Sequence, residues 1–212
     1  FSDITTIFAV SDLLKLKLLQ KNFKDLGFQI EKGNKNFEKM FKNPYQATLS
    51  KKFLLSDEWR ELKEKFVEGK PTIEEIESIM KLKADLLAKT YKGIQNYDKL
   101  KYIPAISMYY GVSFKELELE AYSEESLKYL KDKLFILSAL YGLSQAFDLV
   151  KKYRLDMTMS IVDKGLYNFW KKEINEYISK SLAKDEVLLN LASGEFSKLI
   201  DTKKINMINL DF

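Results

Sequence analysis

The sequence predicts a single α/β domain in which a mixed sheet is flanked by helices. In the second half, short apolar runs, which predict strands, alternate with segments of helical periodicity. This alternation is typical of α/β proteins. The first hundred residues are mostly helical in pattern and are expected to cap the sheet. The 212 residues include 8 Gly and 3 Pro, which is too few for a turn-rich β-sandwich. We therefore assign residues 1–212 to one domain, with a helical part at about 1–100 and an α/β part at about 101–212.

Two helices of the first half are predicted from residues that commonly cap helices. Ser11 or Asp12 is placed to cap a helix over residues 11–26, because short polar side chains accept hydrogen bonds from the first backbone N–H groups. Ser56 stands in the same way before SDEWRELKEKFVEG, where acidic residues of the first turn complement the helix dipole. We expect a helix at both places.

A third helix is predicted from a capping box. Thr72 and Glu75 are three residues apart, the spacing at which each side chain bonds the other residue's backbone N–H. Apolar residues then recur at helical spacing, so we expect one long helix through about Lys92.

The α/β part is predicted from apolar runs and capping residues. Ser123, followed by two Glu, is expected to begin a helix that ends near Lys133. Further helices are predicted over 165–183 and 194–200. The predicted strands cover residues 105–112, 134–138, 153–160, 187–193 and 205–212.

The composition excludes several classes of site. The chain contains no His and no Cys, so zinc sites built on thiolate or imidazole ligands, disulfides, and Ser-His or Cys-His nucleophiles are ruled out. The net charge is only +4, so nucleic-acid binding would depend on clustered Lys rather than on overall charge. No apolar run reaches the roughly 18 residues of a membrane span, and the first residues lack the basic start of a secretory signal. We expect a cytoplasmic protein.

Arg154 is the most distinctive single residue. The chain has 33 Lys but only two Arg, and Arg offers a planar fork of donors that binds a phosphate or carboxylate through two hydrogen bonds. If residues 153–160 form a strand, Arg154 and Asp156 point to the same face. The pair would then be either a phosphate clamp oriented by Asp156 or a structural ion pair.

Clustered lysines are candidate phosphate contacts. Lys151 and Lys152 precede Arg154, and a second pair is formed by Lys203 and Lys204. Nucleic-acid backbones attract such clusters, although Lys pairs are also typical of a solvated surface. Three tyrosines are candidates for stacking on unpaired bases: Tyr141, Tyr153 and Tyr167.

A possible anion pocket lies at the predicted junction of a strand and a helix. Asn190 and Ser193 follow the apolar run of residues 187–189, and ligands of α/β sheets gather at carboxyl ends of strands. The alternative is ordinary capping of the next helix by Ser193. Asp156 is a further candidate for this pocket. Asp148 and Asp156 are a candidate carboxylate pair for iron or magnesium, but without imidazole we predict no metal site and no cofactor.

Four sequence blocks resemble the YaaA family of bacterial peroxide-stress proteins. They are YYGVSF at 109–114, LSALYGLSQAFDLVKKYRLDM at 137–157, GLYNFW at 165–170, and NLASGEFSK at 190–198 continuing into TKKIN at 202–206. With a weaker match at 80–91, the resemblance covers roughly residues 75–212. We expect the family's N-terminal strand and basic loop and its basic C-terminal segment to have no counterpart in these residues.

The resemblance implies a cytoplasmic protein that limits oxidative damage and is linked to the control of free iron. It also implies DNA binding through a positively charged cleft and a helix-hairpin-helix element. Residues 139–143 (ALYGL) resemble the centre of such a hairpin, with Gly142 allowing close approach of a phosphate; a simple turn is the alternative. Gln145 and Ala146 stand where the family carries Arg and Pro.

Together, these observations favour a non-enzymatic stress protein that binds duplex DNA without sequence specificity. The lysine clusters and Arg154 would contact phosphates, Tyr141 and Gly142 would belong to the interface, and Asn190 and Ser193 would line an anion pocket. Two alternatives remain: an enzyme acting on a nucleotide or phosphorylated small molecule, and a protein-interaction module built on the helical first half.

Overall fold

The computed structural model describes residues 5–10, 57–109 and 122–210. The helix predicted over 11–26 and the capping residue Ser56 lie outside these ranges. The strands are β1 (Thr5–Val10), β2 (Ile103–Pro104), β3 (Leu134–Ser138), β4 (Gly142–Gln145), β5 (Leu149–Val150), β6 (Val187–Asn190) and β7 (Met207–Asn209). The α-helices are α1 (Asp57–Lys63), α2 (Ile73–Met80), α3 (Ala84–Gln95), α4 (Ala105–Met108), α5 (Glu124–Lys133), α6 (Gly165–Ser181) and α7 (Gly194–Ser197). A π-helix over Glu64–Glu68 continues α1, and a 3-10 turn over Tyr97–Lys99 follows α3.

The main sheet has five strands in the order β4-β3-β1-β6-β7. Strand β1 is antiparallel to both β3 and β6, and β7 is parallel to β6. Strands β3, β6 and β7 therefore run in one direction, and their carboxyl ends lie at one edge of the sheet beside the amino end of β1. A second, two-stranded sheet pairs β2 with β5. The predicted mixture of helices with a mixed sheet is confirmed, whereas the assignment to a single domain stays a prediction.

The core is centred on β3 and α6. All five residues of β3 are buried, as expected for an inner strand covered on both faces. Helix α6 turns Leu166, Trp170 and Ile174 inward, and its course over Gly165–Ser181 confirms the helix predicted at 165–183. The indole Nε1 of Trp170 donates a hydrogen bond to the Ala139 carbonyl over 2.9 Å. This bond fixes helix α6 against the loop between β3 and β4.

Two predicted helix starts are confirmed in detail. The Thr72 hydroxyl accepts the Glu75 N–H over 3.2 Å, and the Glu75 carboxylate accepts the Thr72 N–H over 2.7 Å. The Ser123 hydroxyl accepts the Ser126 N–H at the start of α5. Local capping chemistry therefore marks the first residue of both helices.

The prediction of one continuous helix through Lys92 is wrong. The predicted helix is divided into α2 and α3, because Lys81 adopts a left-handed conformation with φ of 49° that ends α2. Residues 81–83 connect the two helices, which contact each other; we call this helix-turn-helix unit the helical hairpin α2–α3.

The predictions of strands at 105–112 and 153–160 are also wrong, as far as the structure describes these residues. Ala105–Met108 forms the single turn α4, because the N–H groups of Ala105 and Ile106 donate to the carbonyls of Asp148 and Ala146, each over 2.8 Å. Residues 153–160 form loop and turn without strand pairing. The argument that Arg154 and Asp156 share a strand face therefore fails.

The segment around Gly142 is a β-hairpin rather than part of a helix-hairpin-helix. Residues 139–141 form the turn between β3 and β4, and Ser138 pairs with Gly142. Gly142 has φ of +68°, so the turn uses a conformation that favours glycine. The helical hairpin that the described residues do contain is α2–α3. None of their helices combines the length and apolarity needed to cross a membrane.

Candidate functional site

The candidate site lies where a loop crosses the carboxyl ends of the strands. We define the crossing loop as residues 151–157. Near its start, the Tyr153 hydroxyl is hydrogen-bonded to the Ser138 hydroxyl at the end of β3, over 2.5 Å. At its end, the Met157 N–H donates to Glu195 Oε1 in α7, over 2.8 Å. Because α7 follows β6, the loop is held at the ends of two strands that flank β1.

Lys151 is buried and holds the start of the crossing loop. Its ammonium donates to the carbonyls of Tyr97 and Asp98, over 3.2 and 3.0 Å. It also lies 4.6 Å from the ring centroid of Tyr102, within the range of cation–π attraction. With 7% of the residue exposed, this geometry gives no support to the predicted phosphate contact of Lys151.

Tyr141 belongs to the same buried cluster as Lys151 and Tyr97, which we call the buried anchor of the crossing loop. Its hydroxyl is bonded to the Tyr97 hydroxyl and accepts the Lys151 N–H over 2.9 Å. Its ring contacts that of Tyr153 edge to face, with centroids 5.5 Å apart. Burial raises the pKa of the Tyr141 hydroxyl far above its ordinary value. Tyr141 thus supports the loop, and its predicted stacking on a base would require the anchor to open.

Arg154 and Asp156 do not form the predicted pair. Asp156 Oδ1 accepts the N–H and the hydroxyl of Thr158, over 3.1 and 2.6 Å, which makes a local turn. Arg154 Nε is buried and has no hydrogen-bond partner among the described residues. One donor of the guanidinium, Nε, therefore lies between the two ends of the crossing loop without a partner in the described part of the chain.

The predicted anion pocket is only partly available for binding. The Asn190 amide donates to Asn209 Oδ1 over 2.7 Å, and its oxygen accepts the Ala192 N–H over 2.8 Å. Asn190 thus shapes the turn after β6. Ser193 stands before α7, but within the described structure its hydroxyl caps nothing and its buried Oγ has no partner. The capping role considered for Ser193 is not observed.

The phosphate contacts predicted for the exposed lysines stay a prediction. Lys152, Lys203 and Lys204 are all exposed. The Lys203 N–H donates to the Asp201 side chain, and the Lys204 N–H to the Asp201 carbonyl. These bonds fix the turn after α7 while the side chains face solvent.

Asp148 and Asp156 are held in separate turns. Asp148 accepts the Gln145 N–H over 2.7 Å, and burial raises the pKa of its carboxyl to about 7 despite that bond. The described ranges contain no cluster of three or more Asp, Glu, His or Cys side chains suited to a metal ion.

Sequence reasoning missed Ser138 and Glu195, which anchor the crossing loop. Glu195 also contributes its carbonyl, which accepts the Tyr167 hydroxyl over 2.9 Å. A serine ending an apolar strand and an acidic residue in a first helical turn are common, so no sequence signal marks either one. Their partners lie 15 and 38 residues away along the chain.

The chain is similar to proteins of one bacterial family. The family model "Peroxide stress protein YaaA" matches residues 29–212. A UPF0246 protein of Fusobacterium nucleatum is 79% identical over 144 residues, covering 68% of this chain and 58% of the relative. UPF0246 proteins of Malacoplasma penetrans and Rickettsia conorii are 38% and 34% identical over 143 and 142 residues, covering 66% and 65% of this chain and 57% of each relative. The matched region thus spans less than three fifths of these relatives.

The family match includes the segments that build the site, since residues 29–212 contain the crossing loop and the turn after β6. The match at 79% identity independently supports the same assignment. The chain belongs to the YaaA family of peroxide stress proteins.

Proposed function

We propose that this chain binds duplex DNA without sequence specificity and thereby limits oxidative, iron-linked damage during peroxide stress. The observation that carries the proposal is the helical hairpin α2–α3, which presents two exposed lysines at its turn. Lys81 ends α2 and Lys83 precedes α3, with Leu82 half-buried between them. This arrangement supports a phosphate contact of the helix-hairpin-helix kind at residues 81–83.

Backbone groups of α3 would add to this contact. The first N–H groups of a helix lack intrahelical acceptors and carry partial positive charge. Lys83 occupies the capping position without a side-chain bond to those groups. A DNA phosphate is a suitable acceptor for them, although Asp85 in the first turn offsets part of the attraction.

The hairpin is rigid enough to present this turn. Ile76 and Met80 of α2 and Leu87 and Ile94 of α3 are buried, so both helices are fixed to the core. Lys152, Lys203 and Lys204 would extend the contact along the DNA backbone. We propose no base-specific contact.

The test is a fluorescence-anisotropy titration of labelled duplex DNA at several salt concentrations. Wild-type affinity is expected to fall steeply as salt rises, because each phosphate contact releases counterions. The variant Lys81→Glu/Lys83→Glu is expected to bind at least about tenfold more weakly, since two attractive contacts become repulsive. Its matched control is Lys171→Glu/Lys172→Glu, which makes the same charge change at exposed positions of α6.

A larger loss in the hairpin variant than in the control supports the proposed surface. Equal losses would show that only net charge matters, and the absence of salt-dependent binding would overturn DNA binding altogether.

Protection from oxidation is tested separately by nicking of plasmid DNA with ferrous iron and peroxide. Wild-type protein is expected to reduce nicking at the concentrations at which it binds, and the hairpin variant is expected to lose this effect. Equal protection by the variant would disconnect protection from DNA binding and refute the proposed link.

A further inference from the structure

Within the described ranges, two buried polar atoms without hydrogen-bond partners lie on adjoining segments at the carboxyl ends of the strands. They are Arg154 Nε in the crossing loop and Ser193 Oγ before α7. Burying a donor without a partner costs free energy, most of all when the group is charged. Such groups are usually explained by a ligand, an ion or water that the protein binds there.

The bond between Met157 and Glu195 brings the two segments together. Arg154 precedes Met157 by three residues, and Ser193 precedes Glu195 by two. The Met157 N–H and Glu195 Oε1 are 2.8 Å apart. The side chains of Arg154 and Ser193 thus extend from two short segments joined at this point.

Neighbouring polar side chains are already engaged elsewhere. Asp156 is bonded to Thr158, and Asn190 to Asn209 and Ala192. Among the described residues of these two segments, Arg154 Nε and Ser193 Oγ are the buried side-chain atoms without a hydrogen-bond partner. A guanidinium remains cationic at every relevant pH, so its partner is expected to be an anion.

The surroundings favour a small anion over a DNA backbone. Asp156 is two residues from Arg154 in sequence, and the Glu195 carboxylate is fixed at the end of the same loop. Burial raises the pKa of the Tyr167 hydroxyl, and the charges of Glu195 and Asp156 raise it further, so both carboxylates act on one region. They would repel a polyanion, whereas a single oxyanion group can still bond directly to the guanidinium fork.

We infer that Arg154 and Ser193 form a binding site for the oxyanion group of a small molecule, either a phosphoryl group or a carboxylate. The Arg154 guanidinium offers two parallel donors to two oxygens, and the Ser193 hydroxyl donates to a third or shares one of them. This site is distinct from the proposed DNA-binding turn of α2–α3.

The test is isothermal titration of the full chain with inorganic phosphate and with acetate at constant ionic strength. Saturable binding is expected for at least one, and the stronger of the two identifies the ligand class. Arg154→Lys keeps the charge but loses the fork, so its affinity is expected to fall about tenfold. Ser193→Ala is expected to lose about threefold.

Three controls make the result specific. Thermal unfolding followed by circular dichroism verifies that both variants fold, and Ser193→Ala is expected to bind DNA as wild type does. Lys81→Glu/Lys83→Glu is expected to bind phosphate or acetate as wild type does, which separates this site from the proposed function. Wild-type protein that binds neither anion saturably, or a folded Arg154→Lys that binds both unchanged, would overturn the inference.

The position of the anion is checked with phenylglyoxal, which modifies guanidinium groups. The only other Arg in the chain is Arg60, whose side chain is 61% exposed, so it serves as an internal reference. The bound anion is expected to slow modification of Arg154, measured by peptide mass spectrometry, and to leave Arg60 unchanged. Saturable binding without selective protection of Arg154 would place the anion elsewhere and refute the assignment.

Discussion

The backbone of Gly142 lies directly against the indole ring of Trp170. A Cβ atom at position 142 would be 2.8 Å from Cε3 and 2.9 Å from Cζ3 of that ring. The ring cannot withdraw easily, because Trp170 is fully buried and its Nε1 is bonded to the Ala139 carbonyl. The left-handed φ of +68° adds backbone strain for any other residue.

Gly142→Ala is therefore expected to lower the free energy of unfolding by about 2–4 kcal/mol, through overpacking and backbone strain together. Urea denaturation followed by tryptophan fluorescence measures this loss. Gly93→Ala is the matched control, since nothing lies within 4 Å of a Cβ there and Gly93 is inside helix α3. The control is expected to gain about 0.5–1 kcal/mol. Similar effects of the two changes would contradict the role of the Trp170 contact.

Lys151 is expected to contribute to stability rather than to DNA affinity. Lys151→Met would leave the carbonyls of Tyr97 and Asp98 without their buried donor, at a cost of about 1–3 kcal/mol. The comparison is Lys204→Met, at an exposed position, which is expected to change stability little and to weaken DNA binding. Urea denaturation and anisotropy are measured for both. A stable Lys151→Met protein with weakened DNA binding would restore Lys151 as a direct phosphate contact.

Asp148 is expected to make stability fall as the pH rises. Burial raises the pKa of its carboxyl in the folded protein from 3.8 to about 7, so the folded state binds more protons than the unfolded state between these values. The free energy of unfolding then decreases with rising pH across this window, by up to about 1.4 kcal/mol per pH unit. Above the window the full penalty of the buried charge is present.

Asp148→Asn removes this dependence, because an amide does not ionise and its oxygen can still accept the Gln145 N–H. Urea denaturation between about pH 4 and pH 8 is expected to show a flatter profile for this variant and higher stability near pH 8. Asp163→Asn, at an exposed position, serves as the control and should retain the wild-type profile. A wild-type slope that persists in Asp148→Asn would assign the dependence to another group.

Features with local causes were predictable from the sequence. The capping box of Thr72 and Glu75 and the cap at Ser123 depend on residues three positions apart, so their spacing alone indicated the helix starts. The left-handed Lys81 was missed because Lys has no preference for that conformation. The apolar–polar alternation of residues 153–160 resembled a strand, but Asp156 bonds locally to Thr158 and Tyr153 bonds to Ser138.

The candidate site was predictable only in part, because it combines segments that are far apart along the chain. Arg154 stood out because the chain otherwise uses Lys, and Ser193 because it follows an apolar strand. Their common neighbourhood depends on Glu195, whose bond to Met157 spans 38 residues. Such long-range partners are selected by the packing of whole elements, which short sequence patterns do not encode.

Glu195 is expected to control the order of the crossing loop. Glu195→Ala removes the acceptor of the Met157 N–H, so hydrogen exchange of that amide should accelerate by about tenfold, as expected for the loss of a hydrogen bond to a charged group. Glu195→Gln keeps an acceptor oxygen at the same place and should accelerate exchange less, which makes it the matched control. Peptide-level exchange over residues 151–157, measured by mass spectrometry, separates the two. Equal exchange in wild type and Glu195→Ala would mean that the Tyr153–Ser138 bond alone holds the loop, and the two segments bearing Arg154 and Ser193 would then lack the connection proposed for them.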